Sequence, residues 1–237
     1  MEETRRPVPE FTSALSNREF IFVGAGLVLH IFLLPRLLVA MIEAGKIGET
    51  AGNFLLYAVM AVYVVAFTWS FLRRDFDPLV DRPLDSIYEI LRGYFRIMCL
   101  NLLLSLVMSL FEQGANPNNE AVLDMAAESG GPAMAMSVFL APIVEEVLFR
   151  AGIFGFTRKY SRAAAYAVTA VIFALYHLAG FILLDVRNLV FLIQYIPAGL
   201  VLCRVYEQSN TIWCPIALHM LVNYVSLHTA EMAGKMA

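Results

Sequence analysis

Charge is scarce in this chain: only 16% of its 237 residues are Asp, Glu, Lys or Arg, while 59% are hydrophobic. A soluble domain carries roughly 25% charged residues, so a water-soluble globule is excluded and a polytopic membrane protein is expected. The net charge of −3 is small and argues against nucleic acid as a partner. The cysteines Cys99, Cys203 and Cys214 lie in or beside apolar runs without ligand-like spacing. That excludes a disulfide framework or a cysteine metal site and leaves them as small packing residues. No His-Glu-x-x-His segment occurs. Residues 1–19 are polar and show no short apolar core with a small-residue cleavage site, so no removable signal peptide is expected. With no internal repeat or low-complexity segment, residues 1–237 are read as one domain.

Long apolar runs are what the chain has instead. About seven are long enough to span roughly 30 Å of hydrocarbon at about 1.5 Å per residue, near Phe20–Ala44, Gly52–Leu72, Tyr94–Phe111, Ala133–Phe156, Ala163–Leu184, Leu189–Tyr206 and Thr211–Thr229. The fold class is therefore all-α. If the spans alternate, Arg5, Arg6, Arg18, Arg73, Arg74, Arg82, Arg92, Arg158, Lys159, Arg162 and Arg204 fall on one side, against Lys46, Arg187 and Lys235 on the other. The positive-inside rule then predicts a cytoplasmic amino terminus and an external carboxyl terminus. Pro35 should kink the first span, and Arg36 near its outer end should snorkel. Leu84, Ile87 and Leu91 recur at helical spacing within Asp75–Gly93, predicting a separate amphipathic helix on the cytoplasmic surface. In the external segment Glu112–Pro132, Asn118 or Asn119 is expected to cap a short helix running through Glu128.

The run from Ala133 to Phe156 is interrupted by Glu145, Glu146 and Arg150. A charged side chain at mid-span costs roughly 2.5–3.5 kcal/mol or more. Glu146 and Arg150 are four apart and can pair on one face; Glu145 is turned about 100° away and is left without a partner in its own helix. Further along stand Phe173 and His177, then His219 and Asn223, each pair four apart within a span. At about 1.5 Å per residue, Glu145 lies about 17 Å from the cytoplasmic end of its helix. The same reckoning puts His177 roughly 21–24 Å, His219 about 12 Å and Asn223 about 18 Å from that side. Those depths let Glu145, His177, His219 and Asn223 meet in one layer near mid-membrane.

Glu145-Glu146-x-x-x-Arg150, Phe173-x-x-x-His177 and His219-x-x-x-Asn223 together resemble the three-motif pattern of the CPBP family. These are intramembrane CAAX-type prenyl proteases and their bacterial relatives, including bacteriocin-processing and self-immunity (Abi) proteins. The resemblance covers roughly residues 140–225, within catalytic helices at 133–229. It implies a peptidase in which Glu145 and His177 activate the hydrolytic water, while His219 and Asn223 hold the oxyanion. The residue chemistry is compatible: positioned acid–base groups contribute about 10²–10⁴-fold, and each oxyanion donor roughly 2.7–4 kcal/mol. Glu146 and Arg150 would position Glu145, and Phe173 would pack beside the site. The resemblance implies a metal-free, glutamate-activated water; the alternative is zinc held by Glu145, His177 and His219 with one position open.

The expected partners are the bilayer and a membrane-associated peptide or protein substrate, lipidated tails included. Access is expected from the cytoplasmic side. Two other classes compete: a non-proteolytic scaffold or immunity-type binding protein using the same residues structurally, and a proton-coupled transporter, for which no paired broken helices argue. His30 and His228 are read as core histidines.

Overall fold

The computed structural model describes residues 10–110 and 114–236, the side chains of 231 and 233–236 excepted. Arg5, Arg6, Glu112 and the Lys235 side chain, which entered the charge and segment expectations, lie outside the described residues. Among the described residues there are helices and no strand. The longer ones, in chain order, are α1 (Asn17–Glu43), α2 (Glu49–Arg74), α3 (Pro83–Ser109), α4 (Pro117–Ser129), α5 (Gly131–Arg158), α6 (Arg162–Leu184), α7 (Val186–Ser209) and α8 (Trp213–Met236). Six of them, α1–α3 and α5–α7, are long and apolar enough to cross a membrane. The seventh expected run lies in α8, whose 24 residues reach about 36 Å at the helical rise. The chain is thus an all-α, multi-pass membrane protein.

Local chemistry sets the helix ends. Ser16 and Glu19 form a reciprocal capping box at the start of α1. The other oxygen of Glu19 accepts the Phe71 amide of α2 at 2.8 Å. That amide is free because α2 is kinked at Thr68 (φ −117°, ψ 18°). The carboxylate therefore begins one helix and repairs another. In α1 the Pro35 kink is absorbed by a π-helical stretch, Leu29–Leu33, just ahead of the proline; Arg36 is exposed, as expected of a snorkelling side chain.

The Arg-rich end of the bundle is tied together by several contacts. Arg158 and Arg162 both bind Glu207, at 2.7 Å each, and Arg74 donates to the Ala14 carbonyl at 2.9 Å. Asn210, in the left-handed region at φ 56°, ends α7 and uses its side chain to hold the backbone of Glu10, Thr12 and Ser13. Phe11 packs edge-on against Phe154 and Tyr206, closing that end with apolar rings. Of the charges expected to share a side, Arg74, Arg158 and Arg162 find their partners at this end.

Two local expectations fail. No separate amphipathic helix spans Asp75–Gly93: a five-residue α-helix, Asp77–Asp81, precedes α3, which runs unbroken from Pro83 to Ser109. Gly93 does not stop that helix, because it is where α3 makes its close approach. A Cβ there would stand 2.6 Å from Leu218 and 2.7 Å from Val205 side-chain carbons. The short helix α4 is capped by Asn116, whose side chain accepts from the Asn118 and Asn119 amides, and not by either of those residues. Pro117 next to Asn116 suits the first helical position, where its missing N–H is not needed.

Candidate active site

Glu145 sits mid-way along α5, at a junction where regular α-helix gives way to a π-helical stretch, Glu146–Phe154. Such wide turns occur frequently at functional sites. The change of pitch does not separate Glu146 from Arg150, which stand 3.0 Å apart with both side chains fully buried. The Arg150 guanidinium also lies over the Phe173 ring, 4.1 Å from its centroid. Phe173 is 3% exposed and packs edge-on against Phe149, the packing role expected of it.

The three helices bring the expected residues together. Glu145 Oε2 lies 3.6 Å from His177 Nε2 of α6 and 4.0 Å from His219 Nε2 of α8. The far nitrogen of each ring is already engaged. His177 Nδ1 donates to the Phe173 carbonyl at 2.8 Å, which is the consequence of a four-residue spacing on one helix face. His219 Nδ1 meets Glu146 Oε1 at 2.8 Å. Glu146 therefore does more than was expected of it: besides meeting Arg150, it orients a histidine on another helix. Asn223, one turn beyond His219, donates to the Ser137 carbonyl at 2.8 Å and keeps its second N–H.

These bonds set the polarity of the centre. A carbonyl only accepts, so His177 carries its proton on Nδ1 and, when neutral, offers a lone pair at Nε2. Glu145 Oε2 is buried and has no hydrogen-bond partner among the described residues. Two acceptors that face each other at 3.6 Å call for a donor between them, and a water molecule, with two O–H groups, satisfies both.

The histidines, Glu145 and Asn223 line a cavity of about 590 Å³. It runs away from the Arg-rich end, towards Glu49 at the start of α2 and Asn118–Met125 of α4. Access from the Arg-rich side, expected from helix depths, is therefore corrected. The depths fixed a level in the bundle, whereas the closure of that end by Phe11, Phe154 and Tyr206 depends on how the arm folds back.

Sequence reasoning missed the second side of Glu145. Its Oε1 accepts from the Tyr57 hydroxyl of α2 at 3.0 Å, Tyr57 meets Tyr176 at 2.9 Å, and Tyr176 meets His30 of α1 at 2.7 Å. His30 is buried, at 1% exposure, but it is linked to the site and not merely core. Tyr176 adjoins His177 in sequence; hydroxyls inside otherwise apolar spans were the available signal. Among the described residues no trio of His, Cys, Asp and Glu has metal-holding geometry.

Helices crossing a bilayer around a buried Glu, two His and an Asn define a class: polytopic membrane proteins with a water-accessible polar centre inside the span. Residues 129–225 match the family model described as Type II CAAX prenyl endopeptidase Rce1-like. A Bacillus subtilis (strain 168) protein described as "Putative membrane peptidase YdiL" is 31% identical over 108 residues, which cover 45% of this chain and 40% of that protein. The match thus spans less than half the length of this curated relative. No solved structure matches. The matched residues include Glu145, His177, His219 and Asn223, the segment whose three motifs resemble the CPBP pattern.

Proposed function

We propose that this protein is an intramembrane endopeptidase of the CAAX-protease type, hydrolysing a peptide bond of membrane-associated substrates, lipidated ones among them. The observation that carries the reading is Glu145 Oε2 facing the Nε2 atoms of His177 and His219 while both Nδ1 atoms are held elsewhere. A water between Glu145 and His177 gives up a proton to the carboxylate as its oxygen attacks the substrate carbonyl. The protonated acid then returns that proton to the departing amine. His219 and the free N–H of Asn223 face the same cavity and would donate to the tetrahedral oxygen. With Glu146 accepting from Nδ1 at 2.8 Å, donation from Nε2 takes a ring that carries both protons. The substrate would enter from the α4 end of the cavity. By the positive-inside rule that is the external end, with a cytoplasmic amino terminus and an external carboxyl terminus.

Water activation by Glu145 needs no metal. Zinc held by Glu145, His177 and His219, the alternative ligand set, does not fit these side chains as they are placed, so no step is routed through a metal. The deciding experiment uses the full chain in vesicles with prenylated and unmodified peptides. Wild type is expected to cleave, and Glu145→Gln, inserted and folded, to show no cleavage above background. Cleavage by Glu145→Gln would overturn the reading. Retained cellular function without any cleavage would favour a scaffold. A chelator that abolishes cleavage, with restoration by zinc alone, would favour the metal form.

A further inference from the structure

With Glu145 ionised, the hydrogen bonds behind it run in one direction. Tyr57 donates its single hydroxyl hydrogen to Glu145 Oε1, so at the 2.9 Å contact with Tyr176 it must accept. Tyr176 has then spent its own hydrogen on Tyr57 and must accept at the 2.7 Å contact with His30 Nε2. His30 is thereby required to carry its proton on Nε2, and its Nδ1 has no partner among the described residues. Donors from α1, α6 and α2 thus point in series at one oxygen of the carboxylate. The other oxygen faces the histidines.

We infer that Tyr57 and Tyr176, anchored by His30, are positioning residues for Glu145. They clamp Oε1, so that Oε2 is the atom that takes the proton from the attacking water. The inference rests on the peptidase reading. In the step it supports, a water O–H bond breaks and its proton passes to Oε2. The water oxygen bonds to the carbonyl carbon, and the carbonyl π pair moves onto the carbonyl oxygen. The bond from Tyr57 to Oε1 is kept throughout, which holds the carboxylate against rotation.

The test uses the full chain with ¹⁵N-labelled histidine. In wild type, His30 should show a protonated Nε2. In Tyr57→Phe the Tyr176 hydrogen is released to donate to His30, and the tautomer should move towards Nδ1–H. A wild-type His30 with a bare Nε2, or a tautomer indifferent to Tyr57→Phe, overturns the relay. In kinetics, Tyr57→Phe removes a donor to a charged acceptor and should lower kcat about tenfold to hundredfold, with KM little changed. His30→Gln, which can place an N–H where Nε2 lies, should stay near wild type, whereas His30→Leu should fall with Tyr57→Phe. Unchanged kcat in Tyr57→Phe while Glu145→Gln is inactive refutes the positioning role alone. Full cleavage by Glu145→Gln refutes the peptidase reading instead, and the tautomer readout stands apart from both.

Discussion

Arg150→Met removes a guanidinium that is fully buried, 3.0 Å from Glu146 and stacked on Phe173. Glu146 itself is 0% exposed, so the substitution leaves a carboxylate in the bundle interior with only His219 to meet it. Stripping one partner from a buried pair typically costs about 3–5 kcal/mol. For a chain of this size, about 2–4 °C of midpoint per kcal/mol is typical, so the variant should unfold some 6–20 °C below wild type. The double variant Glu146→Gln, Arg150→Met should behave differently. Nε and both Nη atoms of Arg150 lack a hydrogen-bond partner among the described residues, so taking out both charges removes unsatisfied donors along with the acid. Replacing a buried pair is often neutral, or stabilising by about 1–4 kcal/mol. The amide that Glu146→Gln introduces keeps an oxygen for His219 Nδ1, so the ring that faces Glu145 should hold its place. Thermal unfolding of wild type, both single variants and the double variant in one detergent gives the coupling directly. A single Arg150→Met as stable as wild type, or a double variant no better than that single, would refute the reasoning.

Two further outcomes follow from other parts of the fold. Asp75 is 4% exposed and its carboxylate accepts the Ile212 amide at the start of α8; burial pushes its carboxyl from 3.8 up to about 6. The folded state therefore holds this proton more tightly than the unfolded chain. The stability it contributes is complete below about pH 4 and is lost as pH rises through about 6, roughly 3 kcal/mol in all at 1.36 kcal/mol per unit. Asp75→Asn keeps an acceptor but cannot titrate, so its stability relative to wild type should rise by about that amount between pH 4 and 7; a flat or opposite difference in denaturation midpoints would count against the burial argument. At Gly93 the neighbours sit within 2.7 Å of a new Cβ, so Gly93→Val should cost about 1–3 kcal/mol by overpacking. Leu218→Ala in the same chain should restore part of it, and no rescue would mean that the close approach of α3 is not what Gly93 provides.

Composition and periodicity determined that this is a helical membrane protein, because about 30 Å of hydrocarbon demands long apolar runs with every backbone group bonded within its own helix. The i, i+4 spacings of Glu146 with Arg150, Phe173 with His177 and His219 with Asn223 were likewise readable, since a helix face is a property of one segment. The shared level of Glu145, His177 and His219 followed from the rise per residue. What the spacings could not contain is contact between helices. That Glu146 serves His219, that Tyr57 and Tyr176 lead from His30 to Glu145, and that Phe11 folds back over Phe154 and Tyr206 depend on which faces meet. Rotation and tilt set those faces, and packing against neighbours sets rotation and tilt. The unbroken α3 shows the same division: its amphipathic spacing was visible, but the fit of Gly93 against Leu218 and Val205, within one helix where two were expected, was not. The cavity's direction was decided last, by which end of the assembled bundle its own side chains close.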